Sequence, residues 1–233
     1  SWTWSHAIDD STDLSTLLDP QNNLFPNLER GNSTFDQRHR WVTSAIFQSP
    51  YHWKDTGFVK KLLADSFASP IIDFSTGRPY TVLTGTDYNM NFSANTDRPS
   101  VVGAGGPGAV SSPFIPNVAF TLPTTCPSGI PASAQSPSGQ TVPIQPFGCT
   151  GNLGRNTFYT PDYFDIDLRL DRKFYFHEQD NFELIVDAFN LLNRFNPLAV
   201  NLLCDPASGS CTAGQPTAAF DPRQFQFAVK LNF

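Results

Sequence analysis

The segment from Pro222 to Phe233 constrains the fold of this chain more than any other. Phe225, Phe227, Val229, Leu231 and Phe233 occupy every second position, with Gln224, Gln226, Ala228, Lys230 and Asn232 between them. Side chains of a strand point to alternate faces, so the pattern predicts one β-strand with an apolar side and a wetted side. Two settings suit such a strand. Its apolar side can face hydrocarbon, or it can be the edge of a soluble sandwich with a second layer over the phenylalanines.

Composition narrows the choice. Charged residues make up 15% of the 233 residues, and 21 residues are Phe. Soluble domains carry roughly 25% charged residues. Mean hydropathy is nevertheless negative, which suits apolar surface shown in alternation rather than in runs. No stretch approaches the ~20 apolar residues of a membrane-spanning helix. A membrane setting therefore means a barrel, whose strands satisfy one another's backbone groups. The net charge of −6, without a basic stripe, argues against a nucleic-acid partner. Ser1 to Ile8 already reads as an alternating strand and lacks the regions of a signal peptide. An exported protein that begins in mid-strand is expected to be part of a longer product.

Strands are predicted over Trp2–Ile8, Asp36–Gln48, Ser66–Thr84, Asp162–Phe176, Asn181–Arg194 and the terminal segment. The third carries Gly77-Arg78-Pro79, where a bend or bulge is expected. The fourth has the clearest pattern. Phe164, Ile166, Leu168, Leu170, Phe174 and Phe176 share one face, while Asp165, Asp167, Arg169, Asp171, Lys173 and Tyr175 share the other. Arg172 interrupts the apolar row, near an end where it can snorkel to the interface. In the fifth, Phe182, Leu184, Val186 and Ala188 fall together.

The connections alternate in length. His177 to Asp180 forms a tight turn, and Ser49 to Asp65 is intermediate. Asp9 to Phe35, Gly85 to Thr160 and the segment between Arg194 and Pro222 are long. Short turns at one rim and long loops at the other are the asymmetry of outer-membrane barrels. With Phe233 at the periplasmic rim, every long loop is extracellular. The connection 85–160 is rich in Gly, Pro and Ser, as in Gly103-Ala-Gly-Gly-Pro-Gly108, and is expected to be irregular with one short hairpin.

Cys126, Cys149, Cys204 and Cys211 all lie in loop-forming segments, with no Cys-x-x-Cys pair and no neighbouring His. The reading is Cys126–Cys149 and Cys204–Cys211 disulfides in an oxidising compartment, each stabilising by roughly 2.5–3.5 kcal/mol at most. Four free thiols is the alternative.

Several segments, in order, resemble one family. They are Phe35-Asp-Gln-Arg-His-Arg40, Ser75-Thr-Gly-Arg-Pro-Tyr-Thr-Val82, Asp97-Arg-Pro-Ser-Val-Val-Gly103, Phe164-Asp-Ile-Asp-Leu-Arg-Leu-Asp-Arg-Lys-Phe174, Val186-Asp-Ala-Phe-Asn-Leu-Leu-Asn-Arg194 and Pro222-Arg-Gln-Phe-Gln-Phe227. Together they resemble the carboxy-terminal barrel region of TonB-dependent outer-membrane receptors. The nearest likeness is to the Oar-like group, whose members carry a carboxypeptidase-regulatory-like domain at the amino-terminus. The resemblance covers essentially residues 1–233. It implies an all-β fold, an antiparallel meander of about six strands closing a twenty-two-stranded barrel. It also implies import of a nutrient, powered by TonB–ExbB–ExbD through a plug and coupling segment that these residues do not contain. Its expected surroundings are outer-membrane lipid and the barrel-assembly machinery, which would read Phe225, Phe227, Val229, Leu231 and Phe233 as an assembly signal. The transported substrate is not legible.

Other constellations read as structural. The alternating acids and bases of 165–173 suit a charge ladder better than the paired carboxylates of a glycosidase. Asp87 to Asp97 offers side-chain oxygens at alternate places, but Phe92 and Arg98 stand where an EF-hand needs Gly and Glu. Local Asx turns are expected there. His6, His39, His52 and His177 are scattered, and His39 is assigned a structural role in its strand. Trp41, Tyr51, Trp53, Tyr80 and Tyr175 suit either interfacial girdles or an ordinary core. No catalytic, cofactor or metal residue is expected. The rival readings are an independent small outer-membrane barrel serving adhesion or structure, and a secreted polysaccharide-binding β-sandwich.

Overall fold

The computed structural model describes residues 1–233 except 11–19, 23–24, 94, 104–107, 130, 145–146 and 177–179. The expected tight turn at His177–Asp180 and much of the 103–108 glycine run lie outside the described residues.

Strands of strict alternation build one seven-stranded antiparallel sheet. Its members are β1 (Trp2–Trp4), β2 (His39–Ser44), β3 (Phe47–Gln48), β4 (Ser66–Ser75), β5 (Tyr163–Tyr175), β6 (Asn181–Phe189) and β7 (Gln224–Asn232). The path runs β1-β2-β4-β5-β6-β7, with β3 also pairing β4. It does not return on itself, so β1 and β7 are edges.

Several boundaries differ from expectation, each for a local reason. The predicted second strand breaks into β2 and β3 around Ala45 and Ile46. The predicted third strand stops at Ser75 because Gly77 lies against another chain segment. A Cβ there would sit 1.7 Å from the Thr160 carbonyl oxygen, an approach only glycine permits. Pro79–Tyr80 then pairs with Phe158–Tyr159 instead of extending β4. The fifth predicted strand ends at Phe189 because Asn190 turns the chain at a φ of 47°. Its side chain accepts from Arg194 N (2.9 Å) and donates to Arg194 O (2.9 Å). The intermediate connection holds a short helix, α1 (Phe58–Leu63), which was not expected.

The long connection holds the expected short hairpin, Ser133–Gln135 with Thr141–Pro143, and also a three-stranded sheet that was not expected, in the order Ser100–Val102, Ile115–Thr121, Val110–Ser112. Tyr80, Val82, Ile115, Phe120, Leu153, Cys204 and Ala213 form the buried apolar cluster of the molecule. All belong to the long connections, so the core lies in the loops. They fold into a cap at one end of the sheet, the loop end. The opposite end, carrying α1 and the 176–180 connection, is the turn end.

Candidate functional site

The sheet offers two chemically opposite faces, fixed by register. Across one face run Trp2–Trp41–Phe74–Phe164, then Pro70–Leu168–Ala188–Phe225, then Phe47–Ala68–Leu170–Val186–Phe227, and nearest the turn end Phe174–Phe182–Leu231. These rows are uncovered. Trp2 is 67% exposed, Trp41 54%, Phe225 55%, Phe227 71%, Val229 65% and Leu231 65%, and Phe233 is fully exposed. A sandwich would lay a second layer over such residues. An exposed apolar surface this continuous is what lipid, not water, covers.

The other face carries the charges, some paired with opposite charges and some set against like ones, as Asp165 is opposite Asp73. Arg169 donates to both Asp187 oxygens (2.7 and 2.9 Å), and Arg40 reaches Asp73 at 3.1 Å. Asp167 accepts from the Asn190 backbone amide at 3.0 Å. Lys173, Glu183 and Lys230 form one row. This interleaving of opposite charges is the ladder that the alternation predicts.

The cap ties the three long connections together. Asn156 Nδ2 donates to Asn32 O (2.6 Å), and Cys204 N to Leu83 O (2.8 Å). Ser112 Oγ donates to Ala213 O at 2.6 Å. Cys126 is bonded to Cys149 and Cys204 to Cys211, with Cys149 and Cys204 fully buried. Inside, the Arg98 guanidinium makes a two-pronged contact with Glu29 (2.5 and 2.9 Å), both side chains being more than nine-tenths buried. Arg155 donates to the Glu29 carbonyl at 2.7 Å and reaches Asp9. Glu29, Arg98 and Arg155, with Tyr80, Thr81 and Leu202, wall a cavity of about 420 Å³.

Titrating groups in the cap are displaced, and burial raises the Tyr80 hydroxyl. Burial raises the Asp97 carboxyl above its usual range, although its Oδ2 accepts from the amides of Tyr88 (2.5 Å) and Asn89 (2.9 Å). Burial, followed by the charge of Asp205, pushes the Tyr88 hydroxyl up to about 12. That hydroxyl faces Asp205 Oδ1 at 3.3 Å.

In the oxygen-rich stretch after Asp87, side chains bind backbone. Asp87 accepts from the amides of Asn91 (3.1 Å) and Phe92 (2.8 Å), and Asn91 from Ser93 N at 2.8 Å. The Asn91–Ser93 contact, like Asn89 accepting from Asn91 N at 3.0 Å, is an Asx turn, whereas Asp87 spans four and five residues; Ala94, within the stretch, lies outside the described residues. His39 stacks on Trp2 at 5.9 Å. Of the aromatic candidates, Tyr80 belongs to the buried cap cluster rather than to a girdle. Trp41 stands on the uncovered face near the loop end, and Trp53 stacks on Tyr175 at the turn end, 6.0 Å apart. The cavity and its Glu29–Arg98 pair were missed in the sequence. The sequence shows Arg98 in a resemblance motif and as a departure from the EF-hand pattern, and a partner 69 positions away leaves no local signal.

Comparison with known proteins supplies one family. The family described as Outer membrane beta barrel domain matches residues 1–226. No curated protein and no solved structure matches the chain. An antiparallel sheet with an uncovered apolar face and a charged reverse agrees with that match, so the chain belongs to the outer membrane beta barrel domain family and resides in the bacterial outer membrane.

Proposed function

We propose that the chain is barrel wall and ligand-contacting loops of a TonB-dependent receptor of the Oar-like group, importing a nutrient through a twenty-two-stranded barrel. The observation that carries this reading is the open sheet. Consecutive antiparallel strands carry continuous apolar rows, yet β1 and β7 do not pair with each other. Strand edges in hydrocarbon must find partners, and even the smallest bacterial barrels have about eight strands. Further strands therefore belong beside both edges. On this reading the turn end faces the periplasm and the cap lies outside, as the long connections of outer-membrane barrels do. A folded extracellular cap with an internal cavity suits ligand capture. The charged face needs no catalytic role: Arg40–Asp73 and Arg169–Asp187 are ion pairs, and the neighbouring Asp165 and Asp167 accept from the backbone amides of Ile166 and Asn190. Energy coupling is assigned to the plug and coupling segment of such a receptor.

Antibody against the cap, applied to outer membranes, tests this. A folded, heat-modifiable species several times larger than 25.7 kDa, captured by the periplasmic domain of TonB, is the expected result. A folded species of 25.7 kDa that TonB does not capture would instead establish an independent small barrel.

A further inference from the structure

The cations are sorted by type along the sheet axis. All the lysines (Lys54, Lys60, Lys61, Lys173 and Lys230) lie at the turn end. Apart from Arg169 and Arg172, the arginines lie on the loop side. Lys173 and Lys230 sit on the charged face beside Glu183. Lys54, Lys60 and Lys61 sit in the connection between β3 and β4.

The Lys61 end of that connection lies against the apolar face, because Arg172, the one basic residue of that face's β5 row, donates from its guanidinium to the Lys61 carbonyl, while Trp53 stacks on Tyr175 of the other face. Arg172 also stacks over Phe174 at 4.5 Å, and its Nε is buried without a hydrogen-bond partner among the described residues. Beside it, Phe47, Leu63, Ala68, Leu170, Leu184 and Val186 line an apolar groove of about 480 Å³. The outer side of α1 is apolar and open, with Phe58 83% and Leu62 53% exposed. The nearby acids are occupied or face away. Asp65 takes the Trp53 amide (2.8 Å) and His52 Nδ1 (3.3 Å), and Asp55 takes the His52 amide (3.1 Å). Asp171 and Glu183 belong by register to the opposite face, and Asp171 also lines the groove. Counting Lys54, Lys60, Lys61 and Arg172 against Asp55, Asp65 and Asp171 leaves one net positive charge at this corner, beside a groove wide enough for an acyl chain.

We propose that this corner binds an anionic diacyl phospholipid of the inner leaflet. Arg172, Lys60 and Lys61 hold its phosphate, while one acyl chain lies along Leu170, Leu184 and Val186. Two features select this occupant. Excess positive charge on a lipid-facing surface complements an anionic headgroup. An apolar groove contiguous with the cations matches a ligand that is anionic at one end and hydrocarbon at the other. The assignment rests on the turn end facing the periplasm, as proposed above.

Native mass spectrometry of the protein extracted from outer membranes tests it, after exchange into equimolar phosphatidylglycerol and phosphatidylcholine. The expected result is roughly tenfold preferential retention of phosphatidylglycerol. That preference should fall toward unity in Arg172→Gln and in the double variant Lys60→Gln/Lys61→Gln. The double variant lies outside the sheet and leaves the barrel fold intact, so a folding defect of Arg172→Gln does not spoil the test. Equal retention of the two lipids overturns the proposal. So does unchanged preference in both variants, displacement by inorganic phosphate alone, or retention of lipopolysaccharide instead. TonB capture plays no part in this readout, so it fails or succeeds independently of the importer reading.

Discussion

Asp97 is fully buried and holds the 88–89 backbone through two amide hydrogen bonds, yet burial favours its neutral form. Because its folded pKa is raised, the associated stability is present below the ordinary carboxylate value of 3.8 and is lost as pH rises through the raised one. Amide exchange at Tyr88 and Asn89 should therefore speed up, beyond its intrinsic pH dependence, across the acid range. Asp97→Asn keeps an accepting oxygen without the charge, and should flatten that dependence and protect the cap better at neutral pH. Tyr88 behaves alike at the alkaline end. Its contribution is present below 10 and lost as pH rises through about 12. Tyr88→Phe should cost the cap about 0.5–1.5 kcal/mol. The Glu29–Arg98 pair carries higher stakes. Arg98→Met leaves an unpaired buried carboxylate and should destabilise the cap by roughly 3–5 kcal/mol, read as protease sensitivity of the loops while the barrel stays heat-modifiable. Replacing both partners by apolar residues of similar volume should recover much of the loss.

Among the elements, legibility followed periodicity. β7 alternates without a break and β5 with Arg172 alone interrupting its apolar row, so the apolar faces holding Leu170, Val186 and Phe227 could be read from spacing, whereas the register that sets them side by side could not. The cap could not. Its short strands, such as Val110–Ser112, are held by contacts with distant segments rather than by their own pattern, and the 85–160 connection looked merely turn-rich. The same holds for α1, whose six residues are too few to show a helical repeat. Face assignment yields a direct test. Leu170→Arg on the uncovered face should cost ~2–4 kcal/mol of folding into bilayers, measured by urea titration, if Leu170 lies near the bilayer midplane. Gln226→Arg on the charged face should be near neutral. Removing Cys126–Cys149 by paired serine substitutions should loosen the cap by up to ~3.5 kcal/mol without changing that titration.

For the whole molecule, architecture divides labour between a sheet with almost no interior and a cap that contains the core. Tyr80, Val82 and Phe120 are buried in the cap, whereas Phe227 and Leu231 are covered by no protein. The sequence exposed the first half of that division through its alternating strands. It concealed the second, because burial inside the cap arises only when three separated connections meet. The lysine–arginine sorting adds a practical consequence. With the turn end in the periplasm, endoproteinase Lys-C added to intact cells finds no scissile bond within reach in residues 1–233, whereas clostripain, which cuts after arginine, trims their outward loops. Only after the outer membrane is breached does the lysine-directed enzyme gain its substrate, so two digests of living cells read out which way the molecule is inserted.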